Sequence, residues 1–459
     1  MSYYDLSRRE FLRRSALLGL TAAAAPLALK LAAIGEAAAA QSPDDYKALV
    51  CVFLYGGNDN GNTLIPYDAA NYSAYAQIRQ NLALTRDSLA ATVLTPIVPL
   101  PDSSRQMALA PQLAPLKTLF DSGNLAVLLN IGTLVQPTTL TQYKNANVPL
   151  PPKLFSHNDQ QSFWQSSLPE GATSGWGGRI GDLLLSGNAS STFTCINISG
   201  NAVYMSGRNA VQYQVGTGGA VALRGISSPL YGSQACSNAL QKLVTETRTN
   251  LLEDAHSGIM KRALSANTQV LTALKGVSLT TSYDQTNSLS LQLQMVARLI
   301  AARNSLGSKR QVFFVSLGGF DTHDNLATLH PPLLTALGSA LSSFYASTVE
   351  LGVADKVTTF TASDFGRTLS SNGGGSDHGW GSHHFVLGGA VKGGRFFGTL
   401  PVTAINGPDD VGQGRLLPST SVDQLAATLA TWSGVAVNDL SLVMPNIVNF
   451  SVRDLGLFG

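Results

Sequence analysis

Charge is scarce in this chain: only 13% of its 459 residues are Asp, Glu, Lys or Arg, against 44% hydrophobic. That balance excludes a disordered polyelectrolyte and requires a buried core. Cysteine is scarcer, with only Cys51, Cys195 and Cys236. No two of them form a C-x-x-C pair, so a cysteine-built zinc site is excluded. Cys51 lies in an apolar run and reads as a small buried hydrophobe. Cys195 and Cys236 either pair or stay free, and spacing does not choose between these. The G-x-S-x-G elbow of serine esterases is missing. So is any second apolar run of the ~20 residues that a membrane-spanning helix needs.

The N-terminus reads as an address. Ser7-Arg8-Arg9-Glu10-Phe11-Leu12 is a twin-arginine pattern, followed by an apolar run over 16–29 that Lys30 closes and by AAAA at 37–40. We expect residues 1–40 to be a signal peptide handed to the twin-arginine export machinery, cleaved near Ala40 and Gln41. The mature chain, 41–459, would be a single domain in the periplasm or secreted. Removing 1–40 takes five of the 30 basic residues and three of the 28 acidic ones, leaving 25 of each. A basic footprint for nucleic acid is therefore absent.

What is present is α/β. Residues 48–55 (ALVCVFLY) are a continuous apolar run ending at Gly56-Gly57, as in a strand buried on both faces of a parallel sheet. Runs at 125–131 and 311–317 have the same character, and 357–361 and 385–387 are shorter candidates. The spacing predicts helices over 288–303, 333–351 and 422–432. Alternation of the two predicts a mostly parallel sheet flanked by helices. Residues 170–235, rich in Gly, Ser and Asn, predict an insertion or cap near the site.

Ligands gather at the carboxyl ends of strands in such sheets. The first run ends at Asp59, the 311–317 run at Asp321 and His323, and the 357–361 run at Asp364. Asp321 and His323 are two apart, which in extended chain places both on one face. His378 follows, flanked by glycines, and then the adjacent pair His383 and His384, of which His384 is favoured as inward-facing. Carboxylate and imidazole are the ligand types of zinc and manganese, and carboxylate oxygen also suits calcium. The candidate metal ligands are Asp59, Asp321, His323, Asp364, His378 and His384, for one or two divalent ions. Arg367 could hold an oxyanion bidentately or form an ordinary salt bridge. FSHNDQQ at 155–161 leads into a predicted helix. Ser156 there is either an N-cap, with Asp159 completing a capping box, or a reactive hydroxyl.

YGGNDNGNTLIP, FSHNDQQSFWQ, SGWGGRIGD, GGFDTHDN, SDFGRT and GSDHGWG occur in an order that resembles the bacterial domain of unknown function 1501 family. The resemblance spans nearly all of the mature chain. That family is similar, more distantly, to the alkaline phosphatase and sulfatase superfamily. The resemblance implies an alkaline phosphatase-like fold and a metal-dependent hydrolase of phosphate or sulfate esters, acting on a small molecule or a polymer. It implies Ser156 as nucleophile and Asp59 as first-strand ligand. Asp321 and His323 would serve one metal, Asp364 the other, and His378 would be the late ligand. The chain departs from the superfamily pattern at Phe365, which stands where a histidine ligand is expected, so His157 or His384 would have to fill in. The alternative is a non-catalytic envelope or polymer-binding protein that keeps the fold.

Overall fold

The computed structural model describes residues 45–221 and 223–459; the expected leader lies outside them. The strands are β1 (Lys47–Leu54), β2 (Leu64–Pro66), β3 (Met107–Leu109), β4 (Leu125–Gly132), β5 (Cys195–Asn197) and β6 (Tyr213–Gly216). They continue with β7 (Gly219–Ala220), β8 (Arg310–Leu317), β9 (Val357–Ser363), β10 (Ser382–Leu387), β11 (Arg395–Gly398) and β12 (Thr420–Ser421). Ten of them form one sheet in the order β11-β4-β10-β9-β1-β8-β5-β6-β7, with β12 paired to β4. The run β9-β1-β8-β5-β6 is parallel throughout. β10 is antiparallel to both β9 and β4, and β7 is antiparallel to β6. β2 and β3 make a separate ribbon.

β1 shows why its sequence is apolar at every position from Ala48 to Leu54. Ala48, Val50, Val52 and Leu54 face one core, while Leu49, Cys51 and Phe53 face the other. The period of two points alternate side chains to opposite faces, and both faces are covered. The helices Ser288–Ala301 and Leu326–Glu350 pack on the first face, and Trp176–Leu184 and Val422–Ser433 on the second. The Leu326–Glu350 helix starts ahead of Pro331-Pro332, where the sequence pattern stops it, because Leu326 and His330 are buried and anchor its first turns. All three cysteines are free: Cys51 and Cys195 are buried and Cys236 is exposed. Among the described residues, no helix is long and apolar enough to cross a membrane.

Residues 170–235 are more than a cap. They supply β5, β6 and β7 to the sheet and the Trp176–Leu184 helix to one face. Short strands with polar intervals hide this in the sequence. The SGWGGRIGD motif is explained by packing. A Cβ at Gly178 would stand 2.1 Å from the Ser206 carbonyl carbon, and one at Gly175 would stand 2.4 Å from the Tyr204 Cα. Backbone cannot yield as a side chain can. The variant G178A should therefore lose about 2 kcal/mol of stability or more, read as a lower urea midpoint at unchanged m-value; an unchanged midpoint would refute the close approach.

Candidate metal centre

β9, β1 and β8 are neighbours at the middle of the sheet, so the loops leaving their carboxyl ends lie side by side. Those loops are pressed together. A Cβ on Gly56 would meet the Asp321 backbone nitrogen at 2.4 Å, and one on Gly57 would meet the Phe365 ring at 2.5 Å. Both glycines also have positive φ, 110° and 81°, which other residues adopt at a cost. Above the loops sits the N-terminus of the His157–Ser166 helix.

Three imidazoles and one carboxylate converge here. Asp321 Oδ1 lies 3.2 Å from His323 Nε2 and 3.5 Å from His378 Nε2, and Asp321 Oδ2 lies 3.5 Å from His157 Nε2. The Nε2 atoms of His323 and His378 are only 2.8 Å apart. The opposite ring nitrogen of each histidine is already committed. His157 Nδ1 meets Asp364 Oδ2 at 2.6 Å, His378 Nδ1 meets the Phe155 carbonyl at 2.7 Å, and His323 Nδ1 meets Asp377 Oδ1 at 3.1 Å. Carbonyl and carboxylate oxygens accept, so each Nδ1 donates its N–H. In the neutral rings every Nε2 therefore presents a lone pair inward. Two lone pairs at this separation repel unless a cation, proton or metal, lies between them. Imidazoles whose outer N–H is held by a carboxylate or carbonyl are the usual form of a metal-ligating histidine. Nitrogens bound to one tetrahedral zinc lie about 3.3 Å apart, given Zn–N of about 2.0–2.1 Å. His157, Asp321 and His378 each offer an atom within 4.8 Å of the others. The residues present fit a divalent ion.

The electrostatics follow from these bonds. His157 is held above its ordinary value by its hydrogen bond to Asp364, against the opposing effect of burial. His378 is pushed below its ordinary value by burial. Burial would raise Asp321, but its bond to Arg367 and the charges of Arg367, His157 and His323 hold it low.

The sequence-derived candidates divide. Asp321, His323 and His378 come together, and His157 joins them. Asp364 is buried behind His157: its Oδ2 accepts from Gly56 N, His157 Nδ1 and Gln161 Nε2, and its Oδ1 has no hydrogen-bond partner. Its role is to orient His157. Asp59 is elsewhere, fully buried against Arg79 at 2.7 Å and bonded by Ser376 Oγ and Asn62 N. With both its oxygens engaged it is a structural ion pair, not a ligand. His384 is buried in β10, its ring edge-on to Trp164 and its Nδ1 3.2 Å from Thr361 Oγ1. His383, expected to be exposed or supporting, is also buried, its Nδ1 accepting from Asn130 N. Arg367 has no free fork for substrate, since it donates to Gly56, Gly57 and Ser376 carbonyls and to Asp321. Ser156 does occupy the N-cap position, yet its hydroxyl accepts no backbone N–H. Sequence reading passed over Asp377, Gln161 and Phe155. The i, i+4 spacing of His157 and Gln161 was the one available signal, since it places both on one helix face toward Asp364.

The profile of the family described as "Protein of unknown function (DUF1501)" matches residues 46–442. No curated protein matches significantly. Among solved structures, the chain is similar to the PsFucS1 sulfatase from Pseudoalteromonas sp., at 8% identity and TM-score 0.38, covering 89% of this chain and 72% of that one. It is similar to the lipoteichoic acid synthase LtaP from Listeria monocytogenes, at 8% identity and TM-score 0.34, covering 91% and 81%. It is also similar to the C-terminal periplasmic domain of EcEptC from Escherichia coli in complex with Zn, at 11% identity and TM-score 0.31, covering 88% of each chain. At these scores the likeness decides nothing, and the fold rests on the sheet order above.

Two outcomes follow from the geometry. In the metal-free protein His157 should titrate above 6.5. Its protonated ring then adds stability that is complete below about pH 6.5 and fades as pH rises through the raised value. D364N should erase that shift in histidine NMR titrations; an unmoved His157 would contradict the pairing. R79M should cost about 3–5 kcal/mol by stranding buried Asp59 while leaving metal content at the wild-type level; loss of the metal would return Asp59 to the ligand set.

Proposed function

We propose, on the premise that the chain belongs to the DUF1501 family, that it is an exported metal-dependent hydrolase of phosphate or sulfate esters. The observation that carries the metal centre is the 2.8 Å approach of His323 and His378 Nε2, with both Nδ1 atoms fixed as donors. Asp321, His157, His323 and His378 would hold one divalent ion. A second ion would have to draw on Asp364 Oδ1, which is buried without a hydrogen-bond partner, since Asp59 is sealed by Arg79. The choice of ester comes from the sequence resemblance, and the twin-arginine route and a periplasmic or secreted location from the Ser7–Leu12 pattern and the apolar run after it.

A divalent ion bound there would act as a Lewis acid on an ester oxygen and make a nearby hydroxyl more acidic. The protein residues supply the rest. Asp321 is half-exposed and faces solvent, so substrate can reach it. Arg367 and Asp364 fix Asp321 and His157 from below. Ser156 is flanked in sequence by the Phe155 carbonyl, which holds His378, and by His157 itself. On the resemblance, its hydroxyl would be the nucleophile.

Elemental analysis of protein purified without chelators should find about one zinc, manganese or calcium ion per chain. D321N with H378A should lose the ion and lower hydrolysis of aryl phosphate or sulfate esters at least 100-fold, with the circular dichroism spectrum unchanged. A folded wild-type chain that takes up no ion even when metal is added would sink the hydrolase and leave a binding protein.

A further inference from the structure

The contact between Ser156 and Asp159 is not the capping box that its spacing suggests. In that motif the N-cap hydroxyl accepts the N3 backbone N–H, and the N3 side chain accepts the N-cap N–H. Neither bond is made. The Ser156 side chain accepts nothing from the helix, and Ser156 N donates instead to the Lys153 carbonyl at 3.1 Å. What remains is one bond, from Ser156 Oγ to Asp159 Oδ2 at 2.9 Å. Asp159 is 4% exposed, and its other oxygen lies 3.7 Å from Lys153 Nζ, whose side chain is 71% exposed. A buried carboxylate thus spends one oxygen on a single hydroxyl. The turn that aims this hydroxyl is itself unusual: Lys153 and Phe155 have φ of 42° and 73°. Non-glycine residues hold such values only where surrounding contacts enforce them, and here the Phe155 carbonyl is tied to His378.

We propose that Asp159 is a catalytic base paired with Ser156, an assignment that rests on the hydrolase reading above. Ser156 Oγ bonds to the phosphorus or sulfur of the ester as its proton passes to Asp159 Oδ2. The bond to the leaving oxygen breaks, that oxygen keeps the electron pair, and Asp159 returns the proton to it to give the alcohol. Water then attacks the seryl ester, gives its proton to Asp159, and Asp159 hands that proton to the departing Ser156 oxygen. The sum is ester plus water to alcohol plus inorganic anion. An Asp that accepts a hydroxyl proton in this way is established chemistry for phosphoryl transfer.

The test is labelling of Ser156 by an aryl or alkyl fluorophosphonate, which forms the Ser156 O–P bond with loss of HF and needs no turnover. Peptide mass spectrometry should place the adduct on Ser156 in the wild type and find none in S156A. D159N should label about 100-fold more slowly, and D159E should recover part of the rate, with metal content equal in all four proteins. Failure of the metal-loaded wild type to label at Ser156, or equal rates in wild type and D159N, overturns the pairing. Normal labelling in a protein that hydrolyses no phosphate or sulfate ester keeps the pairing and sinks the ester-hydrolase reading instead.

Discussion

The guanidinium of Arg367 is buried, and it donates to the carbonyls of Gly56, Gly57 and Ser376 and to the carboxylate of Asp321. These partners come from the loop after β1, the loop after β8 and the segment that carries His378. A buried cation must find such partners, since an unpaired one costs several kcal/mol. Satisfying it draws three separate loops to one point. Asp321 is held at the place where His157, His323 and His378 meet because Arg367 grips it from below.

From that clamp the remaining contacts are layered. Asp364 is buried behind His157 and fixes its ring, with Gln161 one helical turn along sharing the same oxygen. Phe365 packs with tilted rings against His157 and His378, at 4.8 and 4.7 Å between centroids. A histidine at 365 would offer one more ring nitrogen; the phenylalanine instead walls the cluster with an apolar ring. Ser156 and Asp159, bonded to each other, stand at the start of the helix that carries His157.

The strands were readable because burial on both sheet faces demands near-continuous apolar runs, and 48–55, 125–131 and 311–317 are such runs. Asp321, His323 and His378 were readable because each follows or sits within a glycine-rich exit from the sheet. Asp59 follows a strand in the same way and misleads, because Arg79, 20 residues on, returns to neutralise it. His384 misleads for a different reason. β10 lies inside the sheet between β9 and β4, so both faces are covered and neither histidine of the pair reaches the surface. Residues 170–235 look like an insertion because their strands are two to four residues long, below the length at which periodicity shows.

The sequence by itself determined the α/β class, the family, and that Asp and His cluster where strands end; local period, glycine placement and motif order suffice for these. Tertiary structure decided which of those groups face one another. Whether a carboxylate is a ligand, a clamp partner or a buried ion pair depends on the charge that folding places beside it. That partner lies 20 residues away for Asp59, 46 for Asp321 and 207 for Asp364. Electrostatic pairing acts through distance in space, and no local pattern in the chain records that distance.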